Sequence, residues 1–291
     1  MLYGALEAGG TKMVCAVGTE DGKLSGREII PTTLPEETIP RILDYFRGKE
    51  IAALGVASFG PIDPDPASPT YGRITSTPKP GWSDFDLLAP FRESLQVPIG
   101  FDTDVNASLL GEICFGDAKG LQDAVYITIG TGIGGGVMSG GKLLHGMLHP
   151  ELGHMMIRPH PSDRYEGKCP YHHCCLEGMA AGPALGERCG IKGELIPADD
   201  PVWALEAYYI GQAIVNLILT LSPRRIILGG GVMHREGLFP MIRSEVRKQL
   251  NGYIRTPLLN DLEHYITPAS LSDDQGILGC IRLAIKAKEE A

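Results

Sequence analysis

The sequence predicts an α/β fold made of two related halves. Runs rich in β-forming residues alternate with helical patterns along the chain, which is typical of α/β proteins. Each half begins with a glycine-centred strand–turn–strand unit, LYGALEAGGTKMVCAV near the start and AVYITIGTGIGGGVM in mid-chain. An offset of 121 residues aligns Gly9 with Gly130 and also aligns Leu6 with Ile127. This match indicates an internal duplication, although glycine-rich sequence also produces such matches by chance.

Hydrophobic periodicity and turn signals predict the remaining elements in chain order. They are a helix in IPRILDYFRG, a strand in IAALGVASFGP, a strand, loop and helix in VPIGFDTDVNASLLGEICFG, a long helix in PVWALEAYYIGQAIVNLILTL, a buried strand in RRIILGGGVM, and helices in LFPMIRSEVRKQL and QGILGCIRLAIKAKEE. The polar segment GDAKGLQD marks the boundary between the halves. We expect a small N-terminal domain at residues 1–117 and a large domain at 118–273. The last helix, within 274–291, could pack on either half, and we assign it to the small domain.

Length, composition and charge are those of a well-folded soluble protein. The 291 residues are 43% apolar and 21% charged, which is enough to bury a full core. The net charge of −9 argues against sequence-independent nucleic-acid binding, which needs a basic surface. The N-terminus lacks a signal-peptide pattern, and the longest apolar stretch, AIVNLILTL, is about half of a membrane span. We therefore expect a cytoplasmic protein without nucleic-acid or membrane partners.

The two glycine-rich turns are candidate phosphate-binding sites. The spacing from Gly130 to Gly135 fits G-x-G-x-x-G, but no helix follows, as a dinucleotide-binding fold requires. GGTK near the start lacks the spacing of a Walker motif. What remains is a pair of hairpin turns whose backbone N–H groups can approach phosphates, with Thr11, Lys12 and Thr131 as side-chain donors. The alternative is that the glycines only make tight hairpins.

Seven short motifs follow one another over nearly the whole chain: EAGGTK (7–12), GPID (60–63), DTDVNA (102–107), ITIGTGIGGG (127–136), HPELGH (149–154), CPYHHCCLEG (169–178) and ILGGGV (227–232). Together they resemble the ROK family (repressor, open reading frame, kinase) of sugar kinases, and within it the zinc-containing bacterial fructokinases. The resemblance implies the actin-like, ribonuclease H-like fold of two domains, with ATP and a sugar bound in an interdomain cleft. Repressors of the family carry a helix-turn-helix ahead of the first glycine-rich strand. Because only six residues precede Glu7, we expect no repressor role.

By the resemblance, Asp104 is the catalytic base of phosphoryl transfer to a sugar hydroxyl. A carboxylate at this point can accept the hydroxyl proton as the bond to the γ-phosphate forms. The residue alone leaves a second interpretation open, because Asp before VNASLL is also a good helix N-cap. Asp102 is the nearby alternative for the base.

The resemblance also implies a nucleotide site and a magnesium ligand. The implied ATP contacts are Gly9, Gly10, Thr11, Lys12, Thr131, Gly132, Pro183, Gly229, Gly230 and Gly231. Glu7 stands where many members have Asp, and it would hold the water shell of Mg²⁺ near the phosphates. For the run of three glycines, a tight strand-to-helix turn is the alternative explanation.

Sugar recognition falls, by the resemblance, to Thr103, Asp104, Glu151, His154 and Glu177. Carboxylates and an imidazole suit a polyol because each can pair with hydroxyls that would otherwise lose their water partners. A lone Glu is ordinarily an exposed charge, and only the position of the two glutamates within matched motifs favours a sugar contact.

The segment KCPYHHCCLEG, together with a histidine 15 residues before its first cysteine, predicts a structural zinc site. The four ligands are His154, Cys169, His172 and Cys175, and the family resemblance implies the same set. Two thiolates and two imidazoles complete a closed tetrahedral site and leave no position for a catalytic water. Two alternatives remain: a disulfide, which the expected reducing compartment disfavours, and a catalytic cysteine, which lacks a fitting reaction. Cys174 could replace Cys175, and His173 stands where a glycine is common in the family.

The resemblance implies an ATP-dependent kinase for a hexose, most closely one that forms fructose 6-phosphate from fructose. Its substrates and cofactors would be the sugar, ATP, Mg²⁺ and structural Zn²⁺, and its members are commonly homodimers. STPKPGW, residues 76–82, is similar to the fructokinase version of a sugar-side loop, and Lys79 is its most distinctive residue. A kinase for another hexose or an N-acetylhexosamine is the near alternative. A non-catalytic sugar-binding or regulatory protein is the distant one.

Overall fold

Ten strands and ten α-helices form two five-stranded sheets with their covering helices. The computed structural model describes all 291 residues. The strands are β1 (Tyr3–Ala8), β2 (Lys12–Gly18), β3 (Leu24–Pro31), β4 (Leu54–Ser58), β5 (Ile99–Thr103), β6 (Ala124–Ile129), β7 (Ile133–Ser139), β8 (Lys142–Leu143), β9 (Arg225–Gly229) and β10 (Ile266–Pro268). The helices are α1 (Pro35–Phe46), α2 (Ala89–Leu95), α3 (Asp104–Cys114), α4 (Leu176–Ala180), α5 (Gly182–Cys189), α6 (Val202–Leu221), α7 (Leu238–Leu250), α8 (Pro257–Asn260), α9 (Leu262–Tyr265) and α10 (Gln275–Glu289).

Contacts divide the chain into two units. The first consists of Met1–Gly120, Leu143–Pro150 and Ser270–Ala291. The second consists of Leu121–Lys142 and Glu151–Ala269. The first unit therefore includes the C-terminal helix and also a short segment, Leu143–Pro150, that composition and periodicity did not single out.

The two sheets repeat one topology. The strand order is β3-β2-β1-β4-β5 in the first unit and β8-β7-β6-β9-β10 in the second. The first strand of each unit pairs antiparallel with the next strand and parallel with the strand on its other side. The offset of 121 residues seen in the sequence carries the bounds of β1 and β2 onto those of β6 and β7. The duplicated pattern in the sequence thus corresponds to a repeated structural unit.

In the first unit, α10 packs against α3 and against the strands β1 and β4. Backbones approach closely there because glycine occupies the contact points. A Cβ added at Gly279 would lie 1.7 Å from the carbonyl oxygen of Ala107, and one added at Gly55 would lie 1.8 Å from that of Cys280. The first contact joins α10 to α3, whose first residue is Asp104, and the second joins α10 to strand β4.

In the second unit, α6 is the central core helix. Its side chains Trp203, Tyr209 and Ile214 are buried together with the β6 side chains Val125 and Ile127. The helix is long and apolar enough to cross a membrane by length and composition alone, but 61% of its most apolar window is buried inside the protein. Its hydrophobicity is therefore explained by the core of this unit.

Candidate active site

Asp104 is the first residue of α3, where strand β5 ends. Its side chain is half-buried, and Oδ1 accepts a hydrogen bond from the N–H of Val105 at 2.9 Å. The N-cap role that the sequence left open for Asp104 belongs to Thr103, because Thr103 Oγ1 accepts the N–H of Asn106 at 3.1 Å. Thr103 therefore caps the helix, and the Asp104 carboxyl lies at the positive end of the α3 dipole.

Asp102 is buried and its oxygens are already engaged. Oδ1 accepts the N–H of Thr103 at 2.8 Å and the side-chain amide of Asn106 at 2.7 Å. Oδ2 lies 3.0 Å from Nε2 of His145, and this hydrogen bond raises the pKa of His145 above its ordinary value. Asp102 thus orients the strand–helix junction that carries Asp104, which suits a positioning carboxylate better than a base.

The segment Leu143–Pro150 is tied to the first unit by two imidazoles. One is His145 on Asp102, and the other is His149, whose Nε2 accepts the N–H of Ile62 at 3.1 Å. Loss of solvent lowers the pKa of His149, so the unprotonated form that accepts this bond is favoured. Sequence reasoning gave neither histidine a role. His145 belongs to no motif, His149 only begins HPELGH, and their partners lie more than 40 residues away.

The first glycine turn joins β1 to β2. Gly9 N donates to the carbonyl of Lys12 at 3.0 Å, and Thr32 Oγ1 donates to the carbonyl of Gly9 at 2.8 Å. Thr11 and Lys12 are exposed, as a phosphate contact requires. Gly10 is covered by the side chain of Lys79.

Glu7 lies in β1, two residues before Gly9 of this turn, and faces the start of α10. A Cβ added at Gly276 would lie 2.5 Å from Oε1 of Glu7. Burial raises the pKa of Glu7, while the charges of Lys12 and Arg27 act in the opposite direction. The structure thus places a carboxylate beneath the turn, next to two cationic side chains.

The second glycine turn borders a cavity of about 830 Å³ in the second unit. The carbonyl of Gly130 accepts the N–H of Gly182 at 2.8 Å, which joins the turn to the start of α5. The lining residues are Gly130, Thr131, Gly182, Pro183, Leu185, Gly186, Lys192, Gly193, Glu194, Ile196, Trp203, Gly231, Val232, His234 and Arg235. The cavity is large enough for an adenosine group, which pockets of several hundred Å³ accommodate.

Three of the predicted nucleotide contacts in this unit, Thr131, Pro183 and Gly231, line that cavity. Gly229 does not, since its open face lies against Tyr126, whose hydroxyl oxygen would be 2.3 Å from an added Cβ. Gly132 and Gly230 are also absent from the lining. Sequence reasoning missed Trp203 of α6, the lining residues between Lys192 and Ile196, and His234 and Arg235 after β9, because these residues belong to no motif.

Glu177, predicted to contact sugar, has a definite partner in the structure. Its Oε2 accepts the N–H of Ile133 at 2.9 Å, and an added Cβ at Gly132 would lie 2.7 Å from the same oxygen. Loss of solvation and the Glu177 carboxylate raise the pKa of Glu151. The two glutamates therefore form one acidic group beside the second turn, and Glu177 links that turn to α4.

The four predicted metal ligands converge: the ligand atoms of His154, Cys169, His172 and Cys175 all lie within 4.8 Å of one another. The Sγ atom of Cys169 lies 3.7 Å from Nδ1 of both histidines, and that of Cys175 lies 3.6 Å from Nδ1 of His154. Tetrahedral zinc, with Zn–S of about 2.3 Å and Zn–N of about 2.0 Å, holds sulfur and nitrogen about 3.5 Å apart. The donor set and its spacing therefore fit a tetrahedral ion.

The other two candidate ligands of the loop, His173 and Cys174, lie outside the metal cluster. Cys174 is not in the cluster and packs, half-buried, against the hydrophobic core of the second unit. His173 has φ of 51°, in the left-handed region that favours glycine. The glycine that the resemblance implies at this position would adopt the same backbone conformation without strain.

Comparison with known proteins places this geometry in a family. The sequence model of the ROK family matches residues 3–287. The chain belongs to the ROK family. The fructokinase of Pediococcus pentosaceus is 50% identical over 291 residues, which cover 100% of both chains. The fructokinase of Lactococcus lactis subsp. cremoris is 45% identical over 284 residues, 97% of this chain and 96% of the relative.

A solved ROK structure shows the same fold. The ROK family glucokinase from Streptomyces griseus, in complex with glucose and AMPPNP, aligns with a TM-score of 0.78 at 25% identity, over 98% of this chain and 100% of the glucokinase. The predicted resemblance is confirmed, and so is the predicted α/β fold of the actin-like kinases.

Proposed function

We propose that this protein is a fructokinase, which transfers the γ-phosphoryl group of ATP to D-fructose and forms fructose 6-phosphate. The observation that carries the proposal is the 50% identity, over the full length of both chains, with the fructokinase of Pediococcus pentosaceus. Two glycine turns, a cavity of nucleotide size and a carboxylate at a helix N-terminus support it. Phosphoryl transfer asks for these parts, because positioning and charge provide most of its catalysis.

Within this proposal, Asp104 accepts the proton of the attacking sugar hydroxyl as the oxygen bonds to the γ-phosphorus. Asp102 and Thr103 hold the strand–helix junction from which Asp104 projects. ATP is proposed to place its adenosine in the cavity beside Thr131 and Pro183, with its phosphates at the glycine turns. Thr103, Glu151, His154 and Glu177 are the proposed sugar contacts, with Asp104.

Two metal ions belong to the proposal. Zinc would be held by His154, Cys169, His172 and Cys175, and it would contribute structure only, because four protein ligands leave no open position. With Nδ1 of His154 on the metal side, Nε2 is left to donate to a sugar hydroxyl. Magnesium would accompany ATP and neutralise phosphate charge, with Glu7 near its water shell.

The proposal extends to the assembly and the compartment. We infer a homodimer, which is common in the family, in the cytoplasm, where sugar, ATP and reduced thiols coexist. Light scattering of the purified protein measures the assembly directly, and a monomeric mass at micromolar concentration would reject the dimer.

An ADP-release assay over a panel of hexoses and N-acetylhexosamines tests the function, with Asp104→Asn alongside. We expect the highest kcat/KM on fructose and a loss of about 10²- to 10⁴-fold in kcat for Asp104→Asn, since that is the typical contribution of a general base. Calorimetry should show that the variant still binds fructose. If the wild-type protein binds a hexose but phosphorylates none, it is a non-catalytic sugar-binding protein.

A further inference from the structure

We propose that Lys79 is a phosphate-binding residue, one that holds the transferred phosphoryl group against the first glycine turn. The proposal rests on the kinase function above. Sequence similarity placed the loop of Lys79, residues 76–82, on the sugar side, whereas a phosphate contact is a different role. It is carried by the placement of the side chain. A Cβ added at Gly10 would lie 2.6 Å from Cε of Lys79 and 3.2 Å from its Nζ.

The backbone that carries Lys79 is a pre-formed turn. Trp82 N donates to the carbonyl of Lys79 at 3.2 Å, and Gly81 has φ of +78°. Proline followed by a residue with positive φ is the pattern of a type II turn. Because proline restricts φ and glycine adopts the positive value without strain, K-P-G-W fixes the direction in which Lys79 leaves the chain.

Trp82 anchors this turn next to the glycine turn. The indole is 1% exposed, and its Nε1 donates to the carbonyl of Thr33 at 2.7 Å. The preceding residue, Thr32, bonds the glycine turn twice: its N–H donates to the carbonyl of Thr11 at 3.0 Å, and its Oγ1 donates to that of Gly9 at 2.8 Å. Two adjacent threonines therefore hold the lysine-bearing turn and the glycine turn in register.

The charge of Lys79 suits a phosphate. Its ammonium takes part in none of the ion pairs of the protein, although carboxylates are plentiful in a chain of net charge −9. Backbone N–H groups of a glycine turn and a lysine ammonium together form a favourable anion site. Lys12, at the other end of the same turn, is a second cation nearby.

Phosphoryl transfer needs no reactant beyond ATP and the sugar. The bond between the γ-phosphorus and the bridging oxygen of ADP breaks, a bond to the sugar hydroxyl oxygen forms, and the hydroxyl proton passes to Asp104. The ammonium of Lys79 donates hydrogen bonds to the phosphoryl oxygens before and after transfer. It thereby stabilises charge that moves from the nucleotide to the sugar phosphate.

Calorimetry with nucleotides of different phosphate number tests the assignment. AMP, ADP and AMPPNP, each with Mg²⁺, are titrated into the wild-type protein, Lys79→Met, Lys79→Arg and the control Lys23→Met, whose lysine is 83% exposed in the same unit. We expect Lys79→Met to bind AMPPNP about 10- to 100-fold more weakly, the range expected for a lost charge-assisted hydrogen bond. Binding of AMP and of fructose should be unchanged, kcat should fall, and Lys79→Arg should restore part of the AMPPNP affinity.

Two results would overturn the assignment. If Lys79→Met weakens fructose binding and leaves AMPPNP binding intact, the lysine belongs to the sugar side. If both affinities and kcat equal those of Lys23→Met, Lys79 has no role in the reaction. Lys79→Gln carries the same test if the methionine variant does not fold. If the wild-type protein phosphorylates no hexose, the proposed function fails, while the ratio of AMPPNP to AMP affinity still tests Lys79.

Discussion

Asp102 and Asp104 stand two residues apart, yet their surroundings give them different capacities. Asp102 is 4% exposed and shares its oxygens among a backbone N–H, an amide and an imidazole. Asp104 is half-buried at the start of α3, with its helix end capped by Thr103. A carboxylate that must take a proton needs access to substrate, whereas one that must hold a junction needs fixed partners. This division favours Asp104 as the base.

The Asp102–His145 pair makes a prediction at pH values around neutrality. The hydrogen bond to Asp102 raises the folded-state pKa of His145, so the stabilisation is fully present below the unfolded pKa of about 6.5 and is lost as pH rises through the folded value. We expect His145→Ala to lower the free energy of unfolding at pH 6 and to have a smaller effect at pH 9. Because the imidazole is 38% exposed and screened by solvent, the loss should be about 1 kcal/mol or less.

Thermal melts at the two pH values measure this effect, with His264→Ala as the matched control. His264 also pairs with an aspartate, but its side chain is 81% exposed in the second unit. An equal destabilisation by His145→Ala at pH 6 and pH 9 would contradict the electrostatic account of the pair.

At the residue scale, sequence motifs located the candidate site but not the partners of its side chains. Spacing alone left Cys174 and Cys175 as alternatives, and the structure brings Cys175 into the cluster. Sequence also left Asp104 as a possible N-cap, but the N-cap is Thr103. A shift of one residue in the start of a helix changes which residue caps it, and sequence does not fix the start that closely. His145 could not be found because its partner, Asp102, is distant in sequence.

At the scale of elements, the function of the cysteine-rich loop should depend on its metal. We expect Cys169→Ala to lose zinc and to lower sugar turnover together, because the loop positions His154 and ends two residues before Glu177. Zinc content by atomic absorption and kcat/KM for fructose are measured on the same preparation.

Cys174→Ala is the matched control for this loop. Its thiol neighbours a ligand but lies outside the cluster, so zinc content and activity should both stay at the wild-type level. Full activity in a zinc-free Cys169→Ala protein would show that the metal and the sugar site are independent.

Strand and helix positions were predictable where hydrophobic pattern and turn chemistry agree. The hairpins β1–β2 and β6–β7 follow from apolar runs around glycines, and α6 follows from a long apolar period. The short helices α8 and α9 were not predicted, because four residues carry no readable period. The packing of α10 depends on backbone approaches at Gly55 and Gly279, which periodicity does not report.

At the scale of the whole molecule, the repeated topology was visible in the sequence as one offset, but the path of the chain between the units was not. Residues Leu143–Pro150 leave the second unit for the first because His145 and His149 find partners there. Such an excursion depends on tertiary hydrogen bonds. Composition and turn signals record local preference, so they contain no trace of it.

Global stability should depend on one fully buried acid, Glu206, in the core helix α6. Its side chain is 0% exposed, and neither carboxyl oxygen has a hydrogen-bond partner. Burial raises its pKa well above the ordinary value, and the charge of Arg188 offsets this only in part. Because the folded state holds this proton and the unfolded state releases it above about pH 4.5, stability should fall as pH rises from there toward the folded pKa.

The amide variant Glu206→Gln keeps the shape of the protonated acid and cannot ionise. We expect its unfolding temperature to change less between pH 5.5 and pH 8.5 than that of the wild-type protein. The increase in unfolding temperature over the wild-type protein should be larger at pH 8.5 than at pH 5.5. Scanning calorimetry at both values measures the difference, and Glu263→Gln, an exposed acid in the same unit, should follow the wild-type curve. Parallel curves for the wild-type protein and Glu206→Gln would mean that Glu206 ionises in the folded protein as readily as in the unfolded chain. The carboxylate would then need a counter-charge or a bound water inside the core, because an unpaired buried charge is strongly destabilising.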